Sequence, residues 1–133
     1  MRPSRTRQAE VLKVLQQYLE GLRYCDGHRL RHVFHPKALY ATGIGRHLRL
    51  LSIEEYLALV EARSPDNGGP SAMRGEIVSI DFTSQETASA RVQVGMASNS
   101  LINLLTLSLV DGRWQAIAEI FGWETSTSLA GAV

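Results

Sequence analysis

The chain is short of the residues that staple, kink or anchor a fold. It holds 1 cysteine in 133 residues, which excludes an intrachain disulfide framework and a zinc site built on clustered cysteines. No apolar run approaches the roughly 20 residues that a membrane helix needs. The N-terminus is basic (Arg2, Arg5, Arg7), but Gln8, Glu10, Lys13, Gln16 and Gln17 interrupt any signal-peptide core. The expectation is a cytoplasmic protein with no membrane contact. The 4 prolines and 11 glycines are too few and too scattered for a collagen-like or low-complexity tract. A dominant charge is missing too, since the formal net charge is +1. The distribution is uneven: residues 23–49 set six basic side chains against Asp26, and residues 50–133 set four against ten acids. The basic stretch lacks interleaved aromatics and any RNA-binding signature. It reads as a solvated helix face, and nucleic acid is not an expected partner.

What is present is the pattern of one ordinary domain, with 44% apolar and 20% charged residues. Residues 1–6 read as a disordered tail, 7–124 as a single α+β domain and 125–133 as a mobile tail. From Arg7, Val11, Leu12, Val14, Leu15, Tyr18, Leu19 and Leu22 recur at helical spacing. Asp26 reads as the N-cap of a second helix over 27–34, which Pro36 stops. Residues 38–44 and a stretch near 47–50 read as strands. Ser52-Ile-Glu-Glu55 is a capping box that opens a third helix, with Ile53, Tyr56, Leu57, Leu59 and Val60 on its apolar side. Residues 64–71 form the strongest loop signal. The period then changes to two, over 74–82, 87–97, 101–110 and 113–123, with Asp111-Gly112 as a short hairpin turn. Helices followed by strands predict helices packed on one face of a curved antiparallel sheet.

Four strings along this layout resemble the nuclear transport factor 2-like superfamily, with its cystatin-like cone, and within it the group labelled putative lumazine-binding or SnoaL-like. Tyr18-Leu-Glu-Gly-Leu-Arg-Tyr-Cys-Asp26 is similar to the family's Tyr-x-x-Gly-x-x-x-x-Asp opening. Val33-Phe34-His35-Pro36-Lys37-Ala38 resembles its Phe-His-Pro-x-Ala turn. Leu51-Ser52-Ile-Glu-Glu-Tyr56 resembles the start of its third helix, and Asp111-Gly112-Arg113-Trp114-Gln115-Ala116-Ile117 its Asp-Gly-x-Trp-x-Ile hairpin. The resemblance spans about residues 8–123. It implies a conical apolar pocket between sheet and helices, used for isomerisation, cyclisation, dehydration or plain binding, and a homodimer through the outer face of the sheet. A scaffold shared by so many activities does not name one of them.

The resemblance also sets two chemical tests. Ketosteroid isomerase, a distant member, needs a carboxylate base, a tyrosine donor and a protonated carboxyl donor. Tyr18 falls at the tyrosine position, Asn103 near the acid donor and Thr42 near the base. Two donors remain and the base is missing, because neither an amide nor a phenol removes a carbon-bound proton near neutral pH. The facing of Asn103 is ambiguous, since Leu101, Ile102, Leu104 and Leu105 flank it. SnoaL-like cyclases set the second test, a His–Asp pair. His28, His32 and His35 share one helix side, opposite Leu30, Val33 and Phe34, so they are expected at the surface as a weak metal candidate. His47 has no evident carboxylate partner.

Glu119 is the acid of interest. Strict alternation places Trp114, Ala116, Ala118 and Ile120 on one face of its strand, and Gln115, Ile117, Glu119, Phe121 and Trp123 on the other. Glu119 then enters the pocket or lies at the dimer face. Buried, it would have a raised pKa and serve as a base. Among Tyr40, Tyr56, Phe82, Phe121, Trp114 and Trp123, two or three rings suffice to stack a flat ligand. The leading expectation is a small-molecule-binding domain without efficient catalysis, taking a small apolar or aromatic molecule through Tyr18, Thr42, Tyr56, Asn103, Glu119 and Phe121, with no cofactor. The alternatives are a SnoaL-like isomerase, cyclase or dehydratase using Glu119 with Tyr18 and Asn103, and a dimeric interaction module whose pocket its own side chains fill.

Overall fold

The computed structural model describes residues 3–44, 47–63, 73–96 and 99–124. Three helices precede most of the sheet: α1 (Arg5–Arg23), α2 (Gly27–Val33) and α3 (Ile53–Glu61). The strands are β1 (Phe34–Ile44), β2 (His47–Ser52), β3 (Arg74–Ser84), β4 (Thr87–Met96), β5 (Asn99–Val110) and β6 (Arg113–Glu124). The expected loop over 64–71 and the expected tail over 125–133 lie outside the described residues.

Local chemistry accounts for the helix boundaries. Ser4 accepts from the Arg7 N–H and starts α1 at Arg5, two residues ahead of the Arg7 at which the helical pattern opens. Asp26 caps α2 by accepting from the Arg29 N–H at 3.0 Å. The Ser52–Glu55 capping box is complete, each side chain accepting the other residue's N–H. Helix α1 ends in a Schellman-type turn, with the Asp26 N–H donating to the Gly21 carbonyl at 2.9 Å. That turn places Cys25 at φ 52°, a left-handed conformation that glycine adopts more readily.

The sheet order is β2-β1-β6-β5-β4-β3. All neighbours are antiparallel except β1 and β6, which run parallel, so the sheet is mixed rather than purely antiparallel. Antiparallel neighbours can be joined by a hairpin, whereas β1 and β6 are about half the chain apart and their direction is free of that constraint. Strand β1 starts at Phe34, ahead of Pro36. Its pairing with β6 skips from Phe34 to Leu39, and its pairing with β2 begins at Leu39. Pro36 sits in that unpaired stretch, where its missing N–H is harmless. The tight turn Asp111-Gly112 has both residues at positive φ, 49° and 78°, as a two-residue hairpin turn requires.

The core lies between the helices and one face of the sheet. It joins Val11, Leu15 and Tyr18 of α1, Leu30 and Val33 of α2, and Ile53, Tyr56, Leu57 and Val60 of α3 to Val92, Leu105, Leu107, Trp114 and Ala116. The opposite sheet face carries exposed Leu39, Leu48, Leu50, Leu104 and Ile120. Two basic side chains of residues 23–49 serve helix docking. Arg31 of α2 bridges Glu54 and Glu61 of α3, and Arg29 pairs with Glu20 and Asp26. Arg113 of β6 donates to the His32 carbonyl. These exposed pairs orient more than they stabilise.

Helices α1 and α2 pack closely because position 21 carries no side chain. A Cβ built there would sit 2.5 Å from the Leu30 Cδ2 and 2.6 Å from its Cγ. Helix propensity alone predicts that Gly21→Ala stabilises the protein by about 1 kcal/mol. Packing predicts the reverse, a loss of about 1–3 kcal/mol, since Leu30 is fully buried and has nowhere to retreat. The urea-denaturation midpoint of Gly21→Ala is expected to fall; a rise would show that the helix contact is looser than described.

Candidate functional site

The site is created by one irregularity in β6. Leu107 pairs with Ala116 and Thr106 with Ala118, so Ile117 has no partner across the strand pair. The extra residue is a β-bulge, and it resets the alternation of faces. Trp114 and Ala116 face the core before it, and Glu119 faces the core after it, opposite Leu105, with Phe121 opposite Asn103. Strict alternation assigns Trp114 and Glu119 to opposite faces; the bulge brings both to the same one. Ile117 leaves that face, and Gln115, Ala118 and Ile120 pair with Ser108, Thr106 and Leu104 on the other.

Glu119 and Asn103 meet over the hydroxyl of Tyr18. Tyr18 donates to Oε2 of Glu119 at 3.0 Å, and Nδ2 of Asn103 donates to the Tyr18 oxygen at 2.6 Å. All three side chains are buried, with Glu119 only 2% exposed. Oε1 of Glu119 and Oδ1 of Asn103 have no hydrogen-bond partner among the described residues. Burial pushes the Glu119 carboxyl up to about 8, against smaller downward pulls from the Tyr18 hydrogen bond and the Arg63 charge. Burial, reinforced by the neighbouring Glu119, holds the phenols of Tyr18 and Tyr56 well above their ordinary value. Neither phenol ionises near neutral pH, so the titrating member of the cluster is Glu119.

A cavity of about 290 Å³ opens beside this cluster. Leu22, Met73, Val94 and Leu101 supply its aliphatic wall, Tyr40, Tyr56 and Phe121 its aromatic wall, and Asn103, Glu119, Cys25 and Arg63 its polar atoms. Tyr40 stacks on Tyr56 with ring centres 3.9 Å apart and planes 11° from parallel, and Phe121 lies 5.5 Å from Tyr40. Arg63 follows α3 and is exposed, so it stands at the mouth.

Of the residues singled out from sequence, Tyr56, Asn103, Glu119 and Phe121 line this cavity. Tyr18 is fully buried and is not part of the lining; it holds Asn103 and Glu119 from behind. Thr42 is not part of the lining either. It pairs with Phe121 and Arg49, two residues beyond Tyr40, which takes the wall position instead. Tyr40 is one of the six rings offered by the sequence for stacking a flat ligand, whereas Cys25, Arg63 and the aliphatic wall carry no functional motif. Only the periodicity of their strands and helices hinted at burial, and Arg63 lacked even that. The histidines do not converge. His28 and His32 are exposed with rings 4.9 Å apart, His32 meets the His28 carbonyl, and the His35 ring accepts the Lys37 N–H. No group of three His, Cys, Asp or Glu among the described residues is placed to hold a metal. The side chains of His47 and Trp123 lie outside the described residues. No described helix is long and apolar enough to cross a membrane.

The raised carboxyl carries a stability prediction. The folded protein holds the Glu119 proton more tightly than the unfolded chain, whose carboxyl has the ordinary value of 4.5. The contribution of this group is therefore complete below the ordinary value and is lost as pH rises through the folded one. Unfolding free energy measured in urea is expected to decline between about pH 5 and pH 8, and Glu119→Gln is expected to flatten that decline. An unchanged slope in the variant would mean that Glu119 is not a buried acid.

Comparison with known proteins agrees with this architecture. A nuclear transport factor 2-like protein of unknown function from Shewanella baltica OS155 superposes with a TM-score of 0.79 at 19% identity, over 94% of this chain and 100% of that one. A domain of unknown function with a cystatin-like fold from Nostoc punctiforme PCC 73102 gives 0.75 at 15%, over 97% and 84%. A ketosteroid isomerase-like protein from Erwinia carotovora atroseptica SCRI1043 gives 0.66 at 15%, over 88% and 95%. At such identities the likeness is one of fold. No curated protein matches the chain. The family model described as putative lumazine-binding matches residues 6–122, and the chain therefore belongs to the putative lumazine-binding family.

Proposed function

We propose that the chain is a small-molecule-binding domain without efficient catalysis, its ligand a flat aromatic molecule held in the cavity beside Glu119. The observation that carries this reading is the cavity itself, which has an aromatic wall on one side and two unpartnered acceptors at its polar end. Its volume of about 290 Å³ sits at the lower end of small-ligand sites, which supports a bound molecule over a space filled by the protein's own side chains. The hydrogen bonds run from Asn103 to Tyr18 to Glu119. The Tyr18 O–H is thereby committed to the carboxyl and does not serve a substrate oxyanion, which argues against efficient isomerisation.

One observation favours a second reading, an isomerase, cyclase or dehydratase. Glu119 faces inward, and burial raises its pKa to about 8, which suits a general base. The two readings separate on proton transfer. If Glu119 is a base, wild-type protein in heavy water exchanges a carbon-bound proton of its ligand and Glu119→Gln does not; a binding domain exchanges none.

We also propose that a second copy covers the outer sheet face, as the family resemblance implies. Leu39, Leu48, Leu50, Leu104 and Ile120 are all exposed there on four adjacent strands, and Leu104 pairs directly with Ile120. Light scattering after gel filtration is expected to give a dimer for the wild type and a monomer for Leu50→Glu combined with Leu104→Glu. A monomeric wild type would rule the dimer out. Its single cysteine is in keeping with a cytoplasmic protein.

Native mass spectrometry tests the main reading. Freshly purified protein is expected to carry a discrete extra mass that denaturation removes. Leu101→Trp, which narrows the cavity, is expected to lower that occupancy about tenfold, the effect of a lost contact of about 1.4 kcal/mol. A bare mass, together with no binding of aromatic fragments, would overturn it.

A further inference from the structure

When Glu119 is ionised, the buried polar end of the cavity holds acceptors and no uncommitted donor. Glu119 and Asn103 are 2% and 5% exposed, both line the cavity, and each keeps one buried oxygen with no partner among the described residues. The remaining polar atoms of the cluster are already committed, since Nδ2 of Asn103 donates to Tyr18 and the single Tyr18 proton goes to Glu119. A buried carboxyl needs either a proton or a cation to balance it. A molecule that completes this site must therefore bring N–H donors.

The walls narrow the choice of cation. A compact ammonium keeps its own hydration shell, and the aromatic wall cannot replace it. A planar, delocalised cation is weakly hydrated, stacks on aromatic faces and offers two parallel N–H groups to a carboxylate. Tyr40, Tyr56 and Phe121 line one side of the cavity, with Tyr40 and Tyr56 already stacked on each other 3.9 Å apart, so a planar cation meets aromatic rings there. We propose that the ligand of this cavity is a flat aromatic molecule with an amidine-type donor edge (an amidinium, a guanidinium or a protonated 2-aminoheterocycle) that docks on Glu119 and Asn103. This inference rests on the small-molecule-binding reading given above.

The charged and titratable groups around Glu119 determine how binding responds to pH. Tyr18 faces it from α1, Tyr40 from β1, Tyr56 from α3, and Arg63 from the residues after α3. The three phenols are held above their ordinary value and stay neutral. Arg63 is exposed at the mouth, where water screens it. Glu119 alone changes charge near neutrality. An amidinium selects its ionised form, so affinity rises with pH up to about 8, and binding below that value releases a proton.

Three probes of one shape test the inference by isothermal titration calorimetry: naphthalene-2-carboxamidine, naphthalene-2-carboxamide and naphthalene. The amidine stays charged throughout, so any pH response belongs to the protein. At about pH 9 the amidine is expected to bind at least about tenfold more tightly than the amide. The margin should shrink toward about pH 6, and the heat near neutrality should depend on the buffer's ionisation enthalpy in the sense of proton release. In Glu119→Gln the margin should vanish while naphthalene still binds. An amide that binds as well as the amidine, or a margin that survives Glu119→Gln, overturns the ligand class and leaves the cavity reading standing. Failure of all three probes to bind overturns both.

Discussion

A carboxyl group held out of water against aromatic rings governs the rest of this molecule. Glu119 is nearly inaccessible, and the only hydrogen bond to its carboxyl among the described residues comes from Tyr18. Such a group is tolerated when it is neutral or when a donor reaches it. The surrounding structure meets the first condition through burial, which raises the carboxyl to about 8, and leaves the second to whatever enters the cavity. Tyr18 relieves half of the demand through Oε2, but the Asn103 donor is spent on Tyr18, and Oε1 has no partner among the described residues.

The scaffold is built so that this arrangement holds. Helix α1 contributes Tyr18 from a fully buried position, edge-on to Phe34, and Phe34 in turn meets Tyr56. Close packing of α1 on α2 at Gly21 and the Arg31 bridges between α2 and α3 tie the helices to one another. The bulge at Ile117 tilts β6 so that one strand supplies both core residues, Trp114 and Ala116, and the site residues Glu119 and Phe121. Cys25 accepts a left-handed conformation at the end of α1 and reaches the cavity from there. Strain and irregularity thus gather around the cavity, as they do where backbone is shaped to serve a site.

Much of the fold was legible because it rests on local chemistry. The caps Asp26 and Ser52, the apolar stripes of the helices, the alternating strands and the Asp111-Gly112 turn each act within a few residues. The family resemblance placed Tyr18 and Asn103, and they do meet. Thr42 and Tyr40 are two residues apart on β1 and share a facing, and packing puts Tyr40 in the cavity wall. His28 and His32 lie at the surface and His35 is half-buried, since Leu30 and Val33 of the same short helix take the core.

The sequence by itself determined the helices, the strands, their limits to within a few residues and the family, because capping, periodicity and turn geometry are short-range. It left open which way Asn103 and Glu119 face, that β1 runs parallel beside β6, and that Arg63 and Cys25 reach one cavity with them. Those were decided by the tertiary structure. A single unpaired residue, Ile117, turns the end of β6 over, and nothing in the alternation of its side chains marks the spot. A bulge sets two residues of one strand against one of its neighbour, so it is a property of the paired strands β5 and β6 and has no meaning for either alone.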